Sequence, residues 1–543
     1  MPPVDVDIEN PHKPVHETAI DIAPQKLSER EDQFYNKFDG VYPNINTDPE
    51  TCKATEIKIL SAARPHMRGF HSSWISFFLA FFCWFAIAPL LSTLRLPEEE
   101  GGLGISKQDI WTSSIVSVCG TIVMRIVLGP MCDKYGPRIT MAIVLLAGAI
   151  PTGLTGLVNN ATGLIIVRLF IGLIGSSFVM CQYWTTTMFT KEVAGTANAI
   201  VGGWGNCGGG AAQLIMGTAL FPLFQSWMST EDAWRSVCAV PAFLVIIWAC
   251  ALTFISDDSP KGNYSKLKTV GAMPEVSAAA SMAGAAKNWN TWILFVQYGC
   301  CFGVELTMNN AAALYFNETL GQSVETSAAI ASIFGFMNFF ARGMGGYLSD
   351  KANQQLSMRG RLIVQIALMM LEGALIVVFS YITDLGSAIV VMTLFSIFVQ
   401  ACEGATYGIV PYVDPKNGGS VSGIVGAGGN VGAVIFGLIF RQTAEDTSAF
   451  RIMGVTVMVC SIMPLFIVIK GYKGLIWGEQ ADVDNLDIST HSRHRSPQFQ
   501  SDKTKKKNAK KANASDHIAF VTALDDSIRR GKAQGNRLGG GKI

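Results

Sequence analysis

The sequence predicts an all-α membrane protein, with twelve transmembrane helices in two pseudo-symmetric six-helix halves. Three observations carry this. The 543 residues are 49% hydrophobic and 15% charged, with mean hydropathy +0.32, where a soluble chain carries about 25% charge. The apolar residues fall in blocks of roughly 20, the length that crosses about 30 Å of hydrocarbon at 1.5 Å per residue. Short motifs also recur late in the chain, so the second half copies the first.

Residues 1–71 are polar, without an apolar run of signal-peptide type, and are expected to be a tail. The first span, 72–94, then inserts as an anchor. Spans at 109–131, 139–158, 162–188, 196–225 and 234–256 complete an N-terminal half, 72–256. A polar linker, 257–289, leads to spans at 290–317, 325–349, 362–383, 386–412, 417–442 and 448–470, the C-terminal half 290–470. The tail 471–543 is expected to be largely disordered. It carries the basic run KTKKKNAKK at 503–511 and Ser496, a candidate phosphosite before a proline.

One set of loops carries Lys134, Arg138, Lys191, Lys261, Lys266, Lys351 and Arg359, and the other is richer in acids. The excess of Lys and Arg puts the first set, and both termini, in the cytoplasm. A net charge of +1 gives no reason to expect a nucleic-acid partner. Of the twelve cysteines, Cys83, Cys119, Cys181, Cys300, Cys301 and Cys402 fall inside spans, so no disulfide framework is expected. No Cys/His cluster suggests a metal, no cofactor motif stands in its proper context, and no catalytic constellation suggests an enzyme. All seven histidines are expected outside the spans.

The repeat brings charge into the membrane. RIVLGPMCD at 125–133 matches RGMGGYLSD at 342–350, with Arg, Gly and Asp at the same spacing and an offset of 217. GWGNCGGG at 203–210 matches GAGGNVGA at 426–433, which aligns Asn206 with Asn430 at an offset of 224. A single Arg125 would read equally well as snorkelling to the headgroups. Two arginines at equivalent depth point instead to a site on the pseudo-symmetry axis, where repeat-built transporters place their cargo. Guanidinium groups facing each other across a cavity call for an anion, and their planar forks of donors suit a small planar oxyanion. The pattern Gly203-x-Gly205-x-x-Gly208 is not a dinucleotide fingerprint, because it lies inside a span rather than after a strand. Close helix packing accounts for most of these glycines. It does not account for Asn206 and Asn430, whose amides can donate to an anion.

Together these residues resemble the nitrate/nitrite porter family of the major facilitator superfamily. GPMCDKYGPR looks like the superfamily's loop motif, and GGWGNCGGG with GAGGNVGA looks like the family's paired signatures. The resemblance implies that Arg125 and Arg342 bind nitrate, and that Phe178 and Phe302 sandwich it. It implies contact from Tyr298, one turn before Phe302, and leaves Trp84 or Phe85 to close the cavity. Each aromatic alone would read as ordinary packing. Asp133, Arg138 and Asp350 would latch the halves together. The short linker and long tail resemble the plant and algal high-affinity transporters, which implies nitrate import by proton symport at the plasma membrane. It also allows a single-pass accessory protein. Glu305, Glu372 and Glu403 are the acids within spans. Glu305 shares a helix face with Phe302 and Tyr298 and is the first candidate for proton coupling. A nitrate/nitrite antiporter, or a nitrate sensor, remains open on the same residues.

Overall fold

Long helices follow one another with short connections: α1 His66–Arg95, α2 Lys107–Tyr135, α3 Pro137–Leu157, α4 Ala161–Met188, α5 Val193–Gln225, α6 Thr230–Ile255, α7 Trp289–Glu318, α8 Val324–Leu356, α9 Met358–Phe379, α10 Leu385–Val413, α11 Gly418–Gln442 and α12 Asp446–Phe466. The computed structural model describes residues 45–49, 51–269, 278–414 and 417–478. Eleven of these helices are long and apolar enough to cross a membrane. The other, α2, has 29 residues and matches them in length, but carries Lys107, Asp109, Arg125 and Lys134. Successive helices alternate in direction, so α1 begins and α12 ends at one face. We call this the terminal face, and the opposite one the distal face.

Capping side chains set the starts at the distal face. Ser106, Asn160, Ser229, Ser323 and Asp384 each accept a hydrogen bond from the backbone N–H three residues on, opening α2, α4, α6, α8 and α10. The two halves, α1–α6 and α7–α12, repeat each other's packing. Helix α5 lies on α1, where a Cβ on Gly208 would fall 2.1 Å from the Phe78 carbonyl oxygen. Helix α11 lies on α7, where a Cβ on Gly432 would fall 1.9 Å from the Gly299 carbonyl oxygen. Only glycine permits backbones this close, so the small-residue stripes are packing elements first.

Three features depart from expectation. Helix α1 begins at His66 rather than 72, so His66 and His71 lie in its first turns. Their rings are tied to the carbonyl oxygens of Cys52 and Ser61. Among the described residues before α1, Ala54 is fully buried and pairs with the end of α4, through Met188 and Thr190. The linker contains two short helices, Tyr264–Thr269 and Ala278–Lys287. Ser496 and the basic run 503–511 lie outside the described residues.

Candidate functional site

Each repeated arginine lies against the glycine-rich helix of the opposite half. Arg125 of α2 faces α11. Its Nη1 donates to the Gly426 carbonyl oxygen. With the Asn430 amide turned to pair acceptor with donor, the Asn430 oxygen accepts from Arg125 Nη1 at 2.9 Å and Nε at 3.1 Å. Nη2 is buried and has no partner among the described residues. Arg342 of α8 faces α5, where a Cβ on Gly202 would stand 3.5 Å from its Nε. It donates to Glu403 at 2.5 Å and to the Tyr298 hydroxyl at 2.7 Å. Both guanidinium groups are buried, at 8% and 3% exposure, too deep for snorkelling to account for them.

Phe178 of α4 stands between these charges. The guanidinium carbons of Arg125 and Arg342 each lie 5.6 Å from its ring centroid. Phe302 of α7 faces it, with centroids 6.4 Å apart and planes 28° apart. Tyr298 stacks on Phe302 at 5.2 Å and 16°. The structure adds Tyr407 of α10, edge-on to both Phe178 at 6.0 Å and Tyr298 at 5.1 Å. Tyr407 has a counterpart in α4: Tyr183 lies 224 residues earlier, the offset of the asparagine pair. That spacing was a signal in the sequence. A different α1 aromatic reaches the cluster than the sequence suggested. Phe77 touches Phe178 at 5.5 Å, whereas Trp84 stacks on Phe85 and donates to Ser117.

The acids and asparagines divide unequally. Asn430 joins Arg125, but Asn206 donates to Glu305 Oε2 at 3.4 Å. Asn338 donates to the other Glu305 oxygen at 2.9 Å, so two amides clamp this fully buried carboxylate. Glu403 accepts from Arg342, and Glu305 lies near enough to act on both. Glu372 is fully buried away from this cluster, beside Cys301, with neither oxygen partnered among the described residues.

Of the residues expected to latch the halves, Arg138 bonds to α6 and the start of the linker, and Asp350 bonds within its own half. Arg138 donates its backbone N–H to Asp258 at 3.0 Å and its side chain to the Thr253 carbonyl. Burial pushes the Asp258 carboxyl upward, and Arg138 opposes the shift. Asp350 pairs with Arg361 at 2.7 Å. The side chain of Asp133 lies outside the described residues. Among the described residues, the ion pairs that do join the halves lie at the distal face. They are Lys107 with Asp446 at 2.6 Å, and Arg95 with Glu318. Beside them, Trp111 of α2 stacks on Phe440 of α11 at 4.7 Å, and Arg441 donates to Thr112 at 2.8 Å.

The Major Facilitator Superfamily model matches residues 73–437. The chain is 38% identical over 429 residues to the high affinity nitrate transporter 2.5 of Arabidopsis thaliana, covering 78% of this chain and 84% of that protein. It is 35% identical over 448 residues to nitrate transporter 2.2 of Chlamydomonas reinhardtii, covering 80% and 86%. The nitrate/nitrite transporter NrtP of Nostoc punctiforme is 27% identical over 479 residues, covering 76% and 94%. Among solved structures, a bacterial homolog to the human lysosomal transporter Spinster, inward-facing and unoccupied, superposes with TM-score 0.53. It is 15% identical and covers 74% of this chain and 95% of that one, a likeness of fold.

Proposed function

Because the chain belongs to the Major Facilitator Superfamily, and within it to the high-affinity nitrate transporters, we propose that it imports nitrate by proton symport, with nitrite as a second planar anion the same site admits. One observation carries the reading. Two buried guanidinium groups flank a single phenylalanine ring 5.6 Å from each, and Arg125 has no carboxylate partner among the described residues and an unspent Nη2.

The anion lies between the faces of Phe178 and Phe302. A planar ion one atom thick needs faces about 7 Å apart, twice a carbon contact distance of about 3.5 Å. The observed 6.4 Å is close to that. Aromatic faces carry the negative end of a quadrupole and do not attract an anion. The rings therefore supply shape and exclude water, and the arginines supply the attraction at the edges. Tyr298 and Asn430 hold Arg342 and Arg125 in place. Asn206 acts on the cargo through Glu305.

The same charges suggest how anion and proton help each other. With Glu305 and Glu403 both ionised, the two arginines are balanced, and an added anion leaves a net negative charge in a low dielectric. With one proton on the acid pair, the anion restores neutrality. Entry against a negative interior costs about 2.3 kcal/mol per charge per 100 mV, and two protons per nitrate reverse the sign of the charge moved. Glu305 is the first candidate carrier, with Glu403 now beside it and Glu372 further off. The halves 72–256 and 290–470 rock about the site, with the tails 1–71 and 471–543 and the terminal face in the cytoplasm of a plasma-membrane protein. A single-pass accessory protein is compatible with this arrangement.

Nitrate flux into proteoliposomes, with and without a pH gradient, tests the reading. Accumulation driven by an acidic exterior is expected. Nitrate-for-nitrite exchange indifferent to pH would make it an antiporter. Binding without flux would make it a sensor.

A further inference from the structure

A third buried arginine lies on the helices that build the central site. Arg168 of α4 is 1% exposed. It donates through Nη1 to Ser113 Oγ at 3.1 Å and Ser114 Oγ at 2.8 Å, and through Nη2 to Asn310 Oδ1 at 2.7 Å. These acceptors are all neutral, and no carboxylate accompanies Arg168 among the described residues. The serine hydroxyls are themselves committed to the Ile110 carbonyl, and the Asn310 amide to the Leu306 carbonyl. A full positive charge is thus held out of water by neutral oxygens alone. That arrangement is costly, and inside a membrane it marks a pathway more often than a strut.

Its position specifies the pathway. Ser114 precedes Arg125 on α2, Arg168 precedes Phe178 on α4, and Asn310 follows Phe302 on α7. At 1.5 Å per residue the cluster lies about 12–18 Å from Arg125, Phe178 and Phe302 along their helices, toward the distal face. It also straddles the seam between the halves. Arg168, Ser113 and Ser114 belong to one half and Asn310 to the other.

We propose that Arg168, Ser113 and Ser114 form a second anion station on the distal route to the central site, for the same small oxyanion, and that Asn310 is its latch. The proposal rests on the rocking transport reading above. In the closed arrangement, the Asn310 oxygen occupies the place of an anion oxygen on Nη2. When the halves part at the distal face, Asn310 leaves with α7, while Arg168 stays with the serines. The freed donor then takes an incoming anion. The ion is not trapped there, because the Asn310 oxygen competes for the same Nη2 donor. Closure returns Asn310 to Nη2 and expels the ion toward Arg125. A positive charge on the route also raises the local anion concentration.

The test uses the full chain in right-side-out and inside-out vesicles, with isotopic nitrate as the probe. Arg168→Gln can still bond the serines and Asn310 but lacks the charge. Its KM for entry from the distal face should rise about tenfold, the size of one lost charge-assisted hydrogen bond, with KM from the terminal face within about twofold of wild type. An unchanged distal KM, or an equal rise at both faces, would overturn the station. If Arg168→Gln does not reach the membrane, Asn310→Ser decides. It withdraws the competing oxygen and should lower the distal KM about threefold. A distal KM that stays the same or rises defeats the proposal. Wild-type vesicles that move no nitrate would defeat the nitrate reading itself, which is a separate outcome.

Discussion

Arg125 and Arg342 are chemically alike but differently employed, and substitutions should separate them. Lysine keeps the charge and loses the planar fork. In Arg125→Lys, a single nitrogen cannot reach Asn430, Gly426 and an anion at the spread positions that the three nitrogens of the fork span. In Arg342→Lys, one nitrogen replaces the two that separately serve Glu403 and Tyr298. Each should lower nitrate uptake at least about tenfold at equal surface abundance, the loss of one charge-assisted bond. Near-normal uptake by either would remove the proposed site. The asparagines should differ in kind. Asn430→Ala releases Arg125 and should raise KM, whereas Asn206→Ala removes one clamp from Glu305 and should alter the response to a pH gradient. Glu305→Gln mimics a permanently protonated acid. It should still exchange nitrate in counterflow but lose accumulation driven by the gradient. If it still concentrates nitrate, Glu403 becomes the carrier to test. The repeat made the arginines and both asparagines legible as residues, since duplication marks equivalent depth, and Glu305 was legible as an in-span acid on the helix face of Tyr298 and Phe302. It could not show that Asn206 serves Glu305 while Asn430 serves Arg125. Nor could it show that Phe77 rather than Trp84 reaches Phe178, because spacing along one helix does not fix what a neighbouring helix presents.

Among the helices, α5 and α11 were legible as packing stripes, and the structure separates two uses within α11. Gly432 meets backbone: an added Cβ would lie 1.9 Å from the Gly299 oxygen, and neither helix can give way cheaply. Gly426 meets side chains, with a Cβ 3.1 Å from the Tyr407 hydroxyl and 3.3 Å from Arg125 Nη1, which can shift by a few tenths of an ångström. Gly432→Ala should therefore reduce folded protein in the membrane, by overpacking worth about 1–3 kcal/mol. Gly426→Ala should fold and raise the KM for nitrate. Fluorescence-detected size exclusion and uptake kinetics on the pair check this, and the reverse pattern would mean the site does not reach α11. Helix boundaries were readable to within a few residues where an apolar block ended, and the capping residues that set the distal starts emerged only in the structure. The docked segment around Ala54 was not, because it is polar and bound by backbone pairing that leaves no pattern in sequence. The π-helical stretch Gln213–Leu220 in α5 was hidden for a similar reason: its hydrophobicity continues without a break.

For the molecule as a whole, the question is which face is held shut. The two halves were visible in the 217- and 224-residue offsets, but the conformation was not, since one sequence must support every state of the cycle. Among the described residues, the ion pairs that bridge the halves are at the distal face, whereas Arg138 pairs with the start of the linker and Asp350 within its half. The distal closure is thus charge-stapled over an aromatic layer of Trp111 and Phe440. Asp446 is 8% exposed and Glu318 26%, so neither pair is fully surface-screened. If exposed pairs contribute about 0.2–1 kcal/mol each and Asp446 somewhat more, Asp446→Asn with Glu318→Gln should shift the balance toward the distal-open state about five- to tenfold. The reporter is Ser113→Cys, which sits below this closure. A membrane-impermeant maleimide applied to the distal face should label it correspondingly faster in the doubly neutralised chain than in its absence, with Ser113→Ala as the blank for native cysteines. Unaltered labelling would mean that the aromatic layer, not the charges, keeps the distal face closed. Trp111→Ala would then be the variant to open it.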